Sequence, residues 1–76
     1  MDKKVMELLV EIRPEFEADF ADSQDFVEDG LLDSFDIVTL INMVEEELGV
    51  TIDGLDIVPE NFKNLNAIIE LVQRSK

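Results

Sequence analysis

Apolar residues recur along this chain in three runs of helical period, separated by two long connections rich in acidic residues. Val5, Leu8, Leu9 and Ile12 fall at i, i+3, i+4 and i+7, which predicts one buried helix face over residues 3–13. Pro14 stops that helix, because a proline pushes the residue before it out of the helical region. Ile37, Val38, Ile41, Val44 and Leu48 form a second stripe, widened by Leu40, and predict a helix over 34–48. Asp33 or Ser34 can cap its start, and Asp36 in the first turn suits the helix dipole. Gly49 stands where a left-handed glycine ends a helix. Leu65, Ile68, Ile69 and Val72 make the third apolar face, with Asn64 as its N-cap.

The connections carry signals of their own. Residues 14–33 are long for so small a chain, and Phe16, Phe20 and Phe26 recur within them. These rings are expected to pin the loop to the core, helped by Leu31 or Leu32, with a short helical turn around 15–20. Residues 50–58 are rich in β-branched side chains. No other segment offers a partner strand, so they are expected to form a loop. Pro59-Glu60-Asn61-Phe62 predicts one short helical turn with Pro at its first position. The pattern therefore predicts an all-α fold. It is a small four-helix bundle, three longer helices plus one short third helix, in a single domain spanning 1–76. It does not fix the topology, because the first long loop lets the helices it joins lie in almost any relative direction.

Composition narrows the functions open to such a bundle. Nineteen acidic residues face six basic ones, for a net charge of −13. This disfavours nucleic acid and anionic membrane surfaces as partners, and favours enzymes with basic surfaces. Crowding of that many acids also predicts carboxylates held above their ordinary pKa range. There is no Cys and no His, which removes a thiolate nucleophile, the commonest general base and the commonest zinc ligand. The polypeptide is not expected to be an enzyme. No apolar run approaches the roughly 18 residues of a membrane span, and the cytoplasm is the expected location.

Against that background Ser34 stands out. It lies in Asp29-Gly30-Leu31-Leu32-Asp33-Ser34-Phe35-Asp36, where an acidic, glycine-bearing loop gives way to the second long helix. Ser34 precedes the first buried residue of that helix, so its hydroxyl is expected to face water from a rigid support. Free N–H groups and the dipole make a helix N-terminus a seat for phosphate. Asp33 and Asp36 oppose an added anion there but offer a basic modifying enzyme a local target. Ser34 alone could be a plain N-cap, and Glu45-Glu46-Glu47 a plain solvated face. Ser23 and Ser75 lack the setting and are expected to stay unmodified. A calcium loop beginning at Asp25 fails at Val27 and at Asp36, where oxygen and Glu ligands are needed.

From Phe26 to Val72 the chain resembles the acyl carrier protein family. The likeness rests on Phe26-Val27-Glu28-Asp29, Asp33-Ser34-Phe35-Asp36 and Val44-Glu45-Glu46-Glu47-Leu48. It implies a four-helix bundle with a short third helix and supplies the topology that the pattern leaves open. It implies 4′-phosphopantetheine, taken from coenzyme A and esterified to Ser34, holding cargo as a thioester. It implies docking by Asp33, Asp36, Met43, Glu45, Glu46 and Glu47, with Thr39 at a position that is often acidic in the family. The partners implied are a phosphopantetheinyl transferase, an acyl- or aminoacyl-loading ligase or transferase, and downstream synthases with basic surfaces. A monomer is expected. Gly30-Leu31-Leu32-Asp33-Ser34 looks more like D-alanyl and aminoacyl carriers than fatty-acid carriers, and the cargo stays open among fatty acyl, D-alanyl and other aminoacyl groups. Ile41, Ile57 and Phe62 are the residues that could shelter an acyl chain. The rival reading is an acidic interaction or inhibitor module that works unmodified.

Overall fold

A computed structural model of the chain describes residues 2–75. Among them all regular structure is helical. The α-helices are α1 (Asp2–Ile12), α2 (Glu17–Asp22), α3 (Ser34–Leu48) and α4 (Leu65–Arg74), with 3-10 turns at Pro14–Phe16, Gly54–Asp56 and Pro59–Phe62. The small all-α bundle expected from the pattern is present. The short third helix takes the 3-10 form at Pro59–Phe62, with Pro at its start. The first loop is more helical than its sequence suggests, because a 3-10 turn and α2 follow Pro14 directly.

Each long helix ends where its local chemistry dictates. The Asp33 side chain caps α3 and Gly49 closes it in the left-handed region at φ 67°. The Asn64 side chain accepts from the Ala67 N–H at 2.8 Å and starts α4. Lys4 pairs with Glu47 at 3.9 Å, while Arg13 pairs with Asp33 and Asp36 at the opposite end. The start of α1 therefore lies beside the end of α3 and the reverse, so these helices run antiparallel. The end of α1 is delivered to the beginning of α3, where Ser34 sits.

Val5, Leu8 and Leu9 of α1, Leu40 and Val44 of α3, and Ile68, Leu71 and Val72 of α4 form the centre of the core. Phe20 and Phe26 are buried in it and meet edge to face, with ring centroids 5.2 Å apart. Leu31 and Leu32 are both buried. The Phe26 carbonyl accepts from the N–H of each, and the Phe26 N–H donates to the Lys63 carbonyl. Phe26 thus ties the loop to the segment leading into α4. The loop at 50–58 is not a strand, and Val50 and Ile52 anchor it.

One position in the second stripe departs from the pattern. Val38 is 55% exposed, whereas Ile37, Leu40, Ile41 and Val44 are buried. Val38 lies one residue, about 100°, round the helix from Ile37, and that rotation carries it off the core face. Replacing Phe26 removes a ring from the centre of the packing. Phe26→Ala is expected to cost about 3–5 kcal/mol of unfolding free energy in urea titration. A loss under about 1 kcal/mol would mean that this ring does not hold the loop.

Candidate functional site

The first turn of α3 is built by two aspartates that cap each other's backbone. The Asp36 N–H donates to the Asp33 carboxylate at 2.9 Å, and the Asp33 N–H donates to the Asp36 carboxylate at 3.1 Å. This is a capping box in which Asp replaces the usual Glu at the third helical position. The shorter side chain draws Asp36 inward, and it is only 8% exposed. A carboxylate so placed needs a positive partner. Arg13 supplies it from the end of α1. Its Nε donates to Asp36 at 3.0 Å, one terminal nitrogen also stands 3.0 Å from Asp36, and the same nitrogen lies 3.6 Å from Asp33. The guanidinium also approaches Glu15 at 3.7 Å.

The electrostatics follow from these contacts. The Arg13 pKa is driven further up, first by its hydrogen bond to Asp36 and then by the charge of that group. Asp33 moves opposite to the expectation for a crowded carboxylate. The N–H of Asp36 holds its carboxyl below the ordinary range, burial opposes this, and the Arg13 charge adds to the lowering. Proximity of acids is outweighed here by donors aimed at one of them.

Ser34 is the first residue of α3, immediately after the cap, and it is exposed as expected. Among the described residues its hydroxyl makes no hydrogen bond, unlike those of Ser23, Thr39 and Ser75, which donate to Asp29, Phe35 and Leu71 respectively. The positive end of the helix is already answered by two carboxylates, so the anion seat expected there is partly filled by the protein itself. Phe35, the next residue, is 83% exposed, and Val38 lies one turn further on. Exposed apolar groups thus flank the hydroxyl along the helix.

The remaining acids divide by burial. Glu46 and Glu47 are exposed. Glu45 is half-buried and accepts from the Ile52 N–H at 2.9 Å, which fastens the second loop to α3. Met43 is half-buried against the core. Asp36 is turned inward to Arg13, while Asp33 remains exposed. Asp25, the first residue of the failed calcium pattern, accepts from the N–H groups of Val27 and Glu28 and so shapes the loop. Ile41 and Phe62 line an apolar void of about 10 Å³, and Ile57, expected beside them, is 41% exposed and outside it. That void matches one water molecule in size and leaves no room for an acyl chain. Arg13 was not visible as part of this site, since it lies 23 residues from Asp36 along the chain.

This arrangement suits a phosphodiester on Ser34. The hydroxyl is unengaged, its backbone is fixed by the cap, and Arg13 offsets the neighbouring acids. The family model for the phosphopantetheine attachment site matches residues 3–72. No curated protein and no solved structure matches the chain.

The lowered pKa of Asp33 fixes the sign of a pH effect. A carboxyl that is more acidic folded than unfolded stabilises the protein above its unfolded value. That contribution disappears as pH falls through the folded value. Asp33→Asn keeps a capping side chain but removes the charge. The variant is expected to melt below the parent at neutral pH, with the gap closing below about pH 4. A gap that widens on acidification would contradict the assignment.

Proposed function

The chain belongs to the phosphopantetheine attachment-site family, and we propose that Ser34 is the residue that carries the group. As a carrier the protein bears 4′-phosphopantetheine covalently and interacts with transferases and synthases. The observation that carries the choice of Ser34 is its place: an exposed, unbonded hydroxyl on the first residue of a 15-residue helix, clamped by the cap beside it. Of the five hydroxyl residues, Ser23, Thr39 and Ser75 are engaged in hydrogen bonds, and Thr51 lies in a loop.

In loading, the Ser34 oxygen attacks the phosphorus of coenzyme A that bears the pantetheine. A new O–P bond forms, the serine proton passes to a base of the transferase, and the bond to the departing adenosine bisphosphate breaks. The attached group supplies a thiol on a long flexible arm, which this cysteine-free chain lacks. The chain supplies position, charge and surface.

Docking rests on exposed groups of α3 and its cap. Asp33, Glu46 and Glu47 offer negative charge to basic partners, and Phe35 and Val38 offer apolar contact beside Ser34. Asp36, Glu45 and Met43 serve that surface from beneath, by holding the cap, the second loop and the core. The Gly30-Leu31-Leu32-Asp33-Ser34 sequence favours a D-alanyl or other aminoacyl cargo over a long fatty acyl chain.

Incubation with coenzyme A and a broad-specificity phosphopantetheinyl transferase is expected to add one phosphopantetheine by intact mass, and Ser34→Ala is expected to abolish the addition. An unchanged parent mass with several such transferases, or an unchanged addition in Ser34→Ala, would overturn the proposal. The first result would favour an acidic module that acts unmodified, and the second would place the group on another hydroxyl.

A further inference from the structure

Arg13 is the least expected member of this site. It leaves the end of α1 just before Pro14, with backbone angles φ −133° and ψ 74°, and the Leu9 carbonyl accepts its N–H at 3.0 Å. Its side chain crosses to the first turn of α3. There it meets Asp36 through two nitrogens and Asp33 through one. Each carboxylate is thereby committed to two partners at once: the guanidinium and the other aspartate's backbone N–H. Ser34 and Phe35 are the two residues enclosed between those aspartates. Their backbone has little freedom while the box is closed.

A helix terminus normally frays. An Asp–Asp box alone would also gather two negative charges against the point where a transferase must bring the diphosphate of coenzyme A. The guanidinium addresses both problems. It closes the terminus mechanically, because its planar fork meets Asp36 through two nitrogens. It also places a permanent positive charge beside the aspartates that flank the acceptor oxygen.

Building on the assignment of Ser34 as the attachment residue, we propose that Arg13 is a positioning residue for its loading, holding the first turn of α3 closed so that the hydroxyl is presented in one orientation. This role belongs to the free protein before any enzyme arrives. It differs from a role in docking, since Arg13 contributes a positive charge where the partner's surface is itself basic. It also differs from general stability, since the residues it orders are those at the reacting oxygen.

The test compares the parent with Arg13→Lys, Arg13→Gln and the core variant Ile69→Val, at a temperature where circular dichroism shows all four fully folded. The transferase and coenzyme A serve as probe. Arg13→Gln is expected to lower kcat for loading about tenfold with KM changed far less, as misplacement of a reacting group does. Arg13→Lys, which keeps the charge and loses the fork, is expected to fall between. Ile69→Val is expected to load like the parent. In parallel, amide hydrogen exchange of the free Arg13→Gln protein is expected to accelerate at Asp36 and Ile37 and not in α4. The proposal is overturned if the folded Arg13→Gln protein loads at the parent's rate, if its effect lies in KM alone, or if exchange at Asp36 is unchanged. Failure of the parent itself to load would instead strike the assignment of Ser34.

Discussion

The interaction on which this structure turns is the closure of a two-aspartate capping box by an arginine from another helix. Asp33 and Asp36 satisfy each other's N–H groups, and Arg13 meets both carboxylates. Exposed ion pairs contribute little to stability in water. This one differs because Asp36 is drawn out of solvent and would be a costly unpaired charge without its partner. The contact joins the end of α1 to the start of α3, and the Lys4–Glu47 pair marks the other end of the same antiparallel alignment. Between them the apolar faces of both helices pack together in the core.

The helices were legible because their signals are local. Residues 34–48 carry a cap, a periodic stripe and a terminal glycine, and α3 has those bounds. Pro14 and Asn64 punctuate the chain in the same way. What stayed hidden depends on three-dimensional placement. Val38 belongs to the stripe by sequence, yet packing leaves it exposed and buries Leu40 fully. Leu71 is buried because α4 is covered on a wider face than its spacing declares. Asp36 looks like a surface acid in sequence, and only a distant arginine turns it inward. The place of Ser34 at the helix start was legible; the partner that steadies it was not.

Function in this fold is a matter of presentation. The chain has no thiol and no imidazole. It offers one free hydroxyl on a fixed helix end, apolar contacts at Phe35 and Val38, and acids further along α3. Self-repulsion from a net charge of −13 is the structural cost of that acidic surface. The core answers it with closely packed aliphatic residues and the buried rings of Phe20, Phe26 and Phe62. The second loop is kept against α3 by Glu45, so one of the acidic residues stabilises the surface the others display.

The central claim is that attachment occurs at Ser34 and nowhere else. Fragment-ion mass spectrometry of the loaded protein, digested to peptides, tests it most directly. The account predicts the phosphopantetheine on the peptide containing Asp33-Ser34-Phe35, with fragment ions fixing it to Ser34. Localisation to Ser23, Thr39, Thr51 or Ser75 would contradict it.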